Sequence, residues 1–341
     1  MVISSPMLKP KLSIIIVSWN CLSYLQKCLR SILSSSLSFP LEIIIVDNGS
    51  SDGTVETIKL AYPQVKIIAN QSNLGFPRAC NQGLKVSSGT FLLLLNPDTE
   101  LNFDTLEKSV TFLENHPEIG LMGVKIKRPD GRIQLHGGRA FPTLFSLICN
   151  SLGLDRAFPS LKIFSSLDLT FWNHASSQEV DMISGTFMLF SRQVYEELGG
   201  LDERLPLFFE DMEFCWRVKQ SGRKIYYLAE TEIVHHSGAS STRAPSFWIT
   251  SLKYEANQLM LSEMGRRGEA CLYPLLIFLL SPGRWLLFPL WFLSQKKKGI
   301  KISSRIYLLE VAQAWLWSTK IFGLARFLSS FNTTKASVLS K

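Results

Sequence analysis

Three acidic clusters in this chain have the residue types and spacing to do chemistry. The run Phe208-Phe209-Glu210-Asp211-Met212-Glu213-Phe214-Cys215-Trp216-Arg217 sets three carboxylates among apolar and aromatic side chains. Such surroundings strip water from a carboxylate and raise its proton affinity, as a general base requires. Asp47-Asn48-Gly49-Ser50 and Asn96-Pro97-Asp98 lie upstream, each directly after an apolar run. Asp47 could accept the N3–H of uracil or thymine, and Trp19 could stack on that ring. Asp98 is a hard oxygen ligand suited to Mg²⁺ or Mn²⁺, and His235 could complete the metal shell. Asp211 could take the proton of an attacking hydroxyl. Taken singly, each cluster has an ordinary explanation. An Asp-Asn-Gly-Ser turn is more often a helix cap, Asn-Pro-Asp is a common turn, and an isolated histidine is more often structural. Their order, each at the end of a successive strand, points to one site for a nucleotide, a metal and a base.

The elements that must position these clusters are legible in the apolar pattern. Residues 12–18 and 41–46 are continuous β-branched runs, the signature of strands covered on both faces. Strands are also expected at 65–69, 91–95, 180–190 and 225–228. Helical spacing covers 21–36, 54–61, 78–86, 104–116 and 192–198, and the acidic run at 208–217 opens another helix. Strands alternating with helices predict an α/β, doubly wound, mixed but mostly parallel sheet flanked by helices. Ligands of such sheets bind outside the carboxyl ends of the strands, where the acidic turns fall. Residues 125–180 are less regular; their apolar pieces, 144–154 and 157–164, read as short helices near a membrane or an acceptor, or as a surface insertion.

Charge separates a body from a tail. Residues 263–341 carry 12 Lys+Arg and 3 Asp+Glu, whereas the first 262 carry 24 and 25. A nucleic-acid-binding domain normally carries its basicity on the folded body, so no nucleic-acid partner is expected. Here the positive charge flanks the apolar stretch 271–293, which points to anionic lipid. Pro274, Pro282, Gly283, Arg284 and Pro289 are expected to interrupt that stretch, favouring a broken helix or hairpin in the membrane interface over a single span. Lys296-Lys297-Lys298 follows it, and a second helix is expected at 305–328. The six cysteines show no Cys-x-x-Cys pair, so reduced, mostly buried thiols are expected. With no secretory signal pattern in the first residues, the expected location is the cytoplasmic side of the cell membrane.

The ordered motifs resemble inverting glycosyltransferases of family 2, with the GT-A fold, and within them the rhamnosyltransferase-like members. The resemblance spans about residues 11–240. It rests on Val17-Ser18-Trp19-Asn20, Val46-Asp47-Asn48-Gly49-Ser50-Ser51-Asp52-Gly53, Asn73-Leu74-Gly75-Phe76, Asn81-Gln82-Gly83 and Leu95-Asn96-Pro97-Asp98. Gly185, Gly200-Leu201-Asp202-Glu203, the Glu210-Asp211 pair and His235 complete the set. It implies a glycosyltransferase domain at 1–262, with a nucleotide-binding half at about 11–125 and an acceptor-side half at about 126–262, followed by a membrane-associating tail at 263–341. By position, Asp47 and Trp19 would hold the base, and Asp98 would bind the metal although Asn96 replaces the first acid of that motif. Arg78, Asn81 and Asn96 would lie along the nucleotide sugar. Asp211 would be the catalytic base, with Glu210 and Glu213 holding local structure or touching the acceptor. The implied donor is a dTDP- or UDP-sugar, rhamnose foremost, and the implied acceptor a saccharide or polyprenyl-linked saccharide. A nucleotidyltransferase is the competing enzyme class, but the first strand leads into Trp19-Asn20-Cys21 without a Gly-rich phosphate loop. A non-catalytic membrane-associated binding protein is the other alternative.

Overall fold

The structure, a computed structural model, describes residues 9–205, 208–236 and 246–280. Contacts divide the chain into two compact units, one built from residues up to Phe141 with Trp172–Arg243, the other from Pro142–Phe171 with the residues from Ala244 onward. This grouping differs from the linear division expected at residue 262.

The first unit is built on one nine-stranded sheet. In chain order its elements are β1 (Leu12–Ser18), α1 (Leu22–Leu33), β2 (Leu41–Asp47), α2 (Thr54–Ala61), β3 (Lys66–Ala69), α3 (Phe76–Val86), β4 (Phe91–Leu95), β5 (Thr99–Leu101), α4 (Thr105–Glu114) and β6 (Ile119–Lys127). A 3-10 turn at Leu135–Gly137 follows, then β7 (Gln178–Val180), β8 (Phe187–Ser191), α7 (Arg192–Leu198), α8 (Glu210–Gln220) and β9 (Lys224–His235). The strand order is β3-β2-β1-β4-β8-β6-β9-β5, with β7 also on β9. The sheet is mixed, as expected. β1, β2, β3 and β4 pair in parallel, as do β6 and β9, but β8 runs antiparallel to both β4 and β6, and β5 and β7 run antiparallel to β9. The parallel half needs a crossover helix between each pair of strands. The later strands are joined by other routes and are free to reverse. The single strand expected at 180–190 is two, because residues 181–186 leave the ladder.

Burial explains the apolar runs. Ile14, Ile16, Leu93, Leu95 and Phe187 form one face of the sheet against Leu25, Leu29 and Ile32 of α1. Truncating one such buried leucine to alanine typically costs about 2–5 kcal/mol. On the other face α3 packs so closely that a Cβ at Gly83 would lie 2.4 Å from Ile15.

The second unit contains α5 (Leu144–Leu152), α6 (Leu154–Ala157), α9 (Ser246–Glu263) and α10 (Arg267–Leu280). Leu147, Leu167, Leu261, Tyr273 and Ile277 form its core. Pro274 was expected to interrupt the chain here, yet α10 runs through it. A helical proline leaves the carbonyl four residues back without its donor. Gln258 Nε2 supplies that donor, reaching the Ala270 carbonyl at 2.9 Å. Among the described residues no helix is long and apolar enough to cross a membrane. The remainder of 271–293, the lysine triplet and the helix expected at 305–328 lie outside the described residues.

Candidate active site

Strand direction gathers the acidic clusters at one sheet edge. β1, β2 and β4 are parallel, so Trp19, Asp47 and Asn96-Pro97-Asp98 all emerge at their carboxyl ends. β8 is antiparallel to β4 and therefore begins at that edge, with Phe187 opposite Leu95. β6 reverses again and β9 follows it in parallel, so His235 at the end of β9 arrives there too.

At the first cluster Asp47 is 1% exposed, and both its carboxylate oxygens accept from the Ser50 amide, at 3.0 and 3.3 Å. This bond tightens the turn that Gly49 permits with φ +80°; a Cβ there would sit 2.8 Å from the Ser72 backbone. The chain after β1 is latched to the same turn. The Asn20 amide donates to Ser50 Oγ at 2.8 Å, and Asn20 Oδ1 accepts from the Ser51 amide at 2.8 Å. Trp19, half-buried, is thereby held beside the Asp47 turn.

The second cluster joins residues far apart in sequence. β5 pairs with β9 so that Thr99 faces His235, and the His236 amide donates to the Asp98 carbonyl at 2.9 Å. Asp98 is 6% exposed, and its Oδ1 lies 3.2 Å from His235 Nε2. Gln134 Nε2 donates to the His235 carbonyl at 3.0 Å, which turns Gln134 Oε1 toward His235 Nδ1, also at 3.0 Å. Nδ1 must then carry a proton. Asp98 and His235 are the groups that would hold a divalent cation, whose charge would offset that of a diphosphate. Carboxylate and imidazole together suit Mn²⁺, and Asp98 alone suits Mg²⁺. Among the described residues no group of three metal-ligating side chains converges.

At the third cluster the first turn of α8 carries Glu210, Asp211 and Glu213. Phe208, just before it, has φ +76°, a strained backbone for a bulky residue and a feature that concentrates at functional sites. Asp211 Oδ2 accepts from the Gly185 amide at 3.1 Å and Oδ1 from its neighbour Met212 at 2.9 Å. Burial pushes the Asp211 carboxyl up, opposed by those amides and by the charge of Arg139. Glu210, 4% exposed, is pushed up by burial and then by the charge of Asp211. Both carboxyls are thus pushed up, and the charge of Asp211 opposes ionisation of Glu210. Glu213 grips Arg217 through both oxygens, at 2.7 and 2.8 Å, and Arg217 donates to the Leu198 and Gly200 carbonyls. That lock ties α8 to the end of α7. The second and third clusters meet through β8: the Asn96 amide donates to the Thr186 carbonyl at 3.1 Å, one residue from Gly185.

Asn81 and Arg78 are engaged elsewhere. Asn81 Oδ1 accepts from the Leu201 amide, and its Nδ2 donates to the Leu201 carbonyl and Glu203. Arg78 pairs with Glu203 at 3.2 Å. Both latch the 200–203 loop. Asn48, 2% exposed, bridges Asn70, Asn73 and the Leu74 amide, and Asn70 exchanges two bonds with Gln82. This amide network fixes the loop from β3 to α3, and the clustering of Asn70, Asn73 and Gln82 was the available signal. Arg139 and Gln134 carried no pattern in the irregular stretch. The cysteines match expectation: all are free, and all but Cys271 are buried.

Comparisons with known proteins agree with this architecture. The family model described as "Glycosyl transferase family 2" matches residues 13–199. An N-acetylglucosaminyl-diphospho-decaprenol L-rhamnosyltransferase of Mycobacterium tuberculosis is 25% identical over 254 residues, covering 69% of this chain and 79% of its own. The low-salt glycan biosynthesis hexosyltransferase Agl10 of Haloferax volcanii is 24% identical over 247 residues, covering 71% and 73%. Among solved structures, the mannosyltransferase PcManGT of Pyrobaculum calidifontis, in complex with GDP-Man and Mn²⁺, superposes with a TM-score of 0.55 at 15% identity, over 93% of this chain and 88% of its own. That likeness supports a GT-A-like fold.

Proposed function

The chain belongs to glycosyl transferase family 2 and is a glycosyltransferase, and we propose that it moves a hexose, rhamnose foremost, from a dTDP- or UDP-sugar onto a hydroxyl of a lipid-linked saccharide, inverting the anomeric centre. Family membership sets aside the nucleotidyltransferase and the non-catalytic binding protein. The observation that carries the reading is the convergence of Asp47, the Asp98–His235 pair and Asp211 at one edge of one sheet. Rhamnose and a polyprenyl-linked acceptor are supported by the printed activity of the mycobacterial relative, and a pyrimidine base by the chemistry of Asp47.

In this reading Asp47 and Trp19 bind the base. Asp98 and His235 hold a divalent cation, which when bound neutralises charge on the leaving diphosphate. Asp211, ionised and partly stripped of water, takes the proton of the acceptor hydroxyl as it attacks in line, and one displacement inverts configuration. Glu210 stays protonated beside it and leaves the base its charge. The basic residues beyond 280 bring the enzyme to the cytoplasmic face of an anionic membrane where such an acceptor resides. The test is binding of a panel of nucleotide sugars with and without Mn²⁺ or Mg²⁺, by the wild type and Asp98→Ala. Metal-dependent binding of one dTDP- or UDP-sugar, lost in the variant, is the expected result. Binding that ignores both metal and variant refutes the assignment of Asp98.

A further inference from the structure

We propose that Gln134 is a positioning residue that makes His235 a metal ligand by fixing which imidazole nitrogen carries the proton. The inference rests on the reading above, in which Asp98 and His235 share a divalent cation. β6 ends at Lys127, and Gly131, with φ +81°, turns the chain back. The Arg128 amide donates to the Arg132 carbonyl at 2.8 Å, and Lys127 and Ile133 form an antiparallel bridge. The Gln134 amide then donates to the Ile126 carbonyl at 2.8 Å. Ile126 and Lys127 pair with Ile233 and Val234 of β9. The hairpin therefore lays Gln134 beside the last residue of β9, His235.

There the carboxamide engages one residue twice. Its Nε2 donates to the His235 carbonyl and its Oε1 meets His235 Nδ1, both at 3.0 Å. The backbone carbonyl can only accept, so it decides the orientation of the amide, and the amide decides the tautomer. With the proton held on Nδ1, the lone pair of neutral His235 is on Nε2, the nitrogen 3.2 Å from Asp98 Oδ1. Gln134 is 7% exposed, so water does not readily replace it as the acceptor. Without Gln134, Asp98 is the nearby acceptor and draws the ring proton to Nε2, closing the coordinating position. An outer-shell partner of this kind typically contributes 10–100-fold in metal affinity. Gln134 needs both a donor and an acceptor, a requirement that leucine fails entirely and glutamate meets by half.

Two measurements test this on the full chain. Histidine tautomers are read by nitrogen NMR in metal-free protein at a pH where His235 is neutral; with five histidines in the chain, His235→Asn assigns the signal. The wild type is expected to carry the His235 proton on Nδ1. A proton on Nε2 overturns the inference whether or not any variant folds. Mn²⁺ is then titrated, with UDP or dTDP present, into the wild type, Asp98→Ala, Gln134→Leu and Gln134→Glu. Gln134→Leu is expected to bind Mn²⁺ about 10–100-fold more weakly while keeping its melting transition. Gln134→Glu, which still accepts from Nδ1, is expected to recover part of the loss. If Asp98→Ala loses Mn²⁺ but Gln134→Leu binds like the wild type, the positioning role is wrong and the metal reading stands. If Asp98→Ala also binds like the wild type, the metal reading itself fails and the inference falls with it.

Discussion

Replacing Asp211 by asparagine keeps the size of the side chain and removes its ability to take a proton. The structure separates the two consequences. Asp211 accepts one backbone N–H on each oxygen, from Gly185 and from Met212. Asparagine has one oxygen, so one amide loses its acceptor and meets an NH₂ group, a cost of about 1–3 kcal/mol. Relief of the buried charge offsets part of this, because burial disfavours the ionised Asp211. Folding should therefore survive with a modest loss. Turnover should fall by about 10²–10⁴, the contribution of a positioned general base. That corresponds to about 3–5 kcal/mol of barrier at 1.36 kcal/mol per factor of ten. The assay is transfer of labelled hexose from the donor to a lipid-linked acceptor, paired with a thermal melt of the same preparation. The pH profile adds a check on sign. The folded Asp211 carboxyl titrates above its ordinary 3.8, so wild-type activity should fall as pH drops through that raised value, with an acid limb above the range of an exposed aspartate. Turnover of Asp211→Asn within tenfold of the wild type would refute the assignment of the base.

Further outcomes follow from other parts of the site. Glu210 is raised above its ordinary 4.5, so its ionisation opposes folding: the wild type loses stability as pH climbs from about 4.5 through the raised value. Glu210→Gln cannot ionise and should gain relative to the wild type between pH 4.5 and pH 8.5 in denaturant titrations; a constant difference across that window would contradict the buried, protonated Glu210. Gly49→Ala must adopt φ +80° and push its Cβ against Ser72, so it should lose about 1–2 kcal/mol from the backbone alone, more with the clash, and weaken donor binding. A melting temperature equal to the wild type would show that the turn is not as tight as described. Truncation after Leu280 keeps the described helices of the second unit and removes ten of the chain's basic residues, and it should abolish flotation with anionic vesicles. Undiminished flotation would refute a lipid role for the tail.

Local pattern was sufficient for much of this protein. Apolar runs bounded by polar turns mark β1, β2 and β4 because a strand covered on both faces must be apolar throughout. Alternation with helices makes those strands parallel, and parallel strands put Asp47 and Asp98 at one edge without further information. An acidic helix start in an aromatic run marks Glu210 and Asp211, because desolvation follows from neighbours close in sequence. What the tertiary structure alone decided are the contacts made across strand pairs and loops. β9 was legible only at 225–228, yet it continues to His235 because β5 and β6 bind its far end, and that extension brings His235 to Asp98, 137 residues earlier. Gln134 lies 101 residues from its partner, and only the hairpin after β6 aligns them. Arg78 and Asn81 both bond the 200–203 loop, far along the chain, a pairing no helix pattern records. The Gly185 amide and the charge of Arg139, which oppose the rise of the Asp211 carboxyl, are likewise delivered only by folding. Periodicity reports which face of an element is dry; the identity of the partner on that face is set by topology and register.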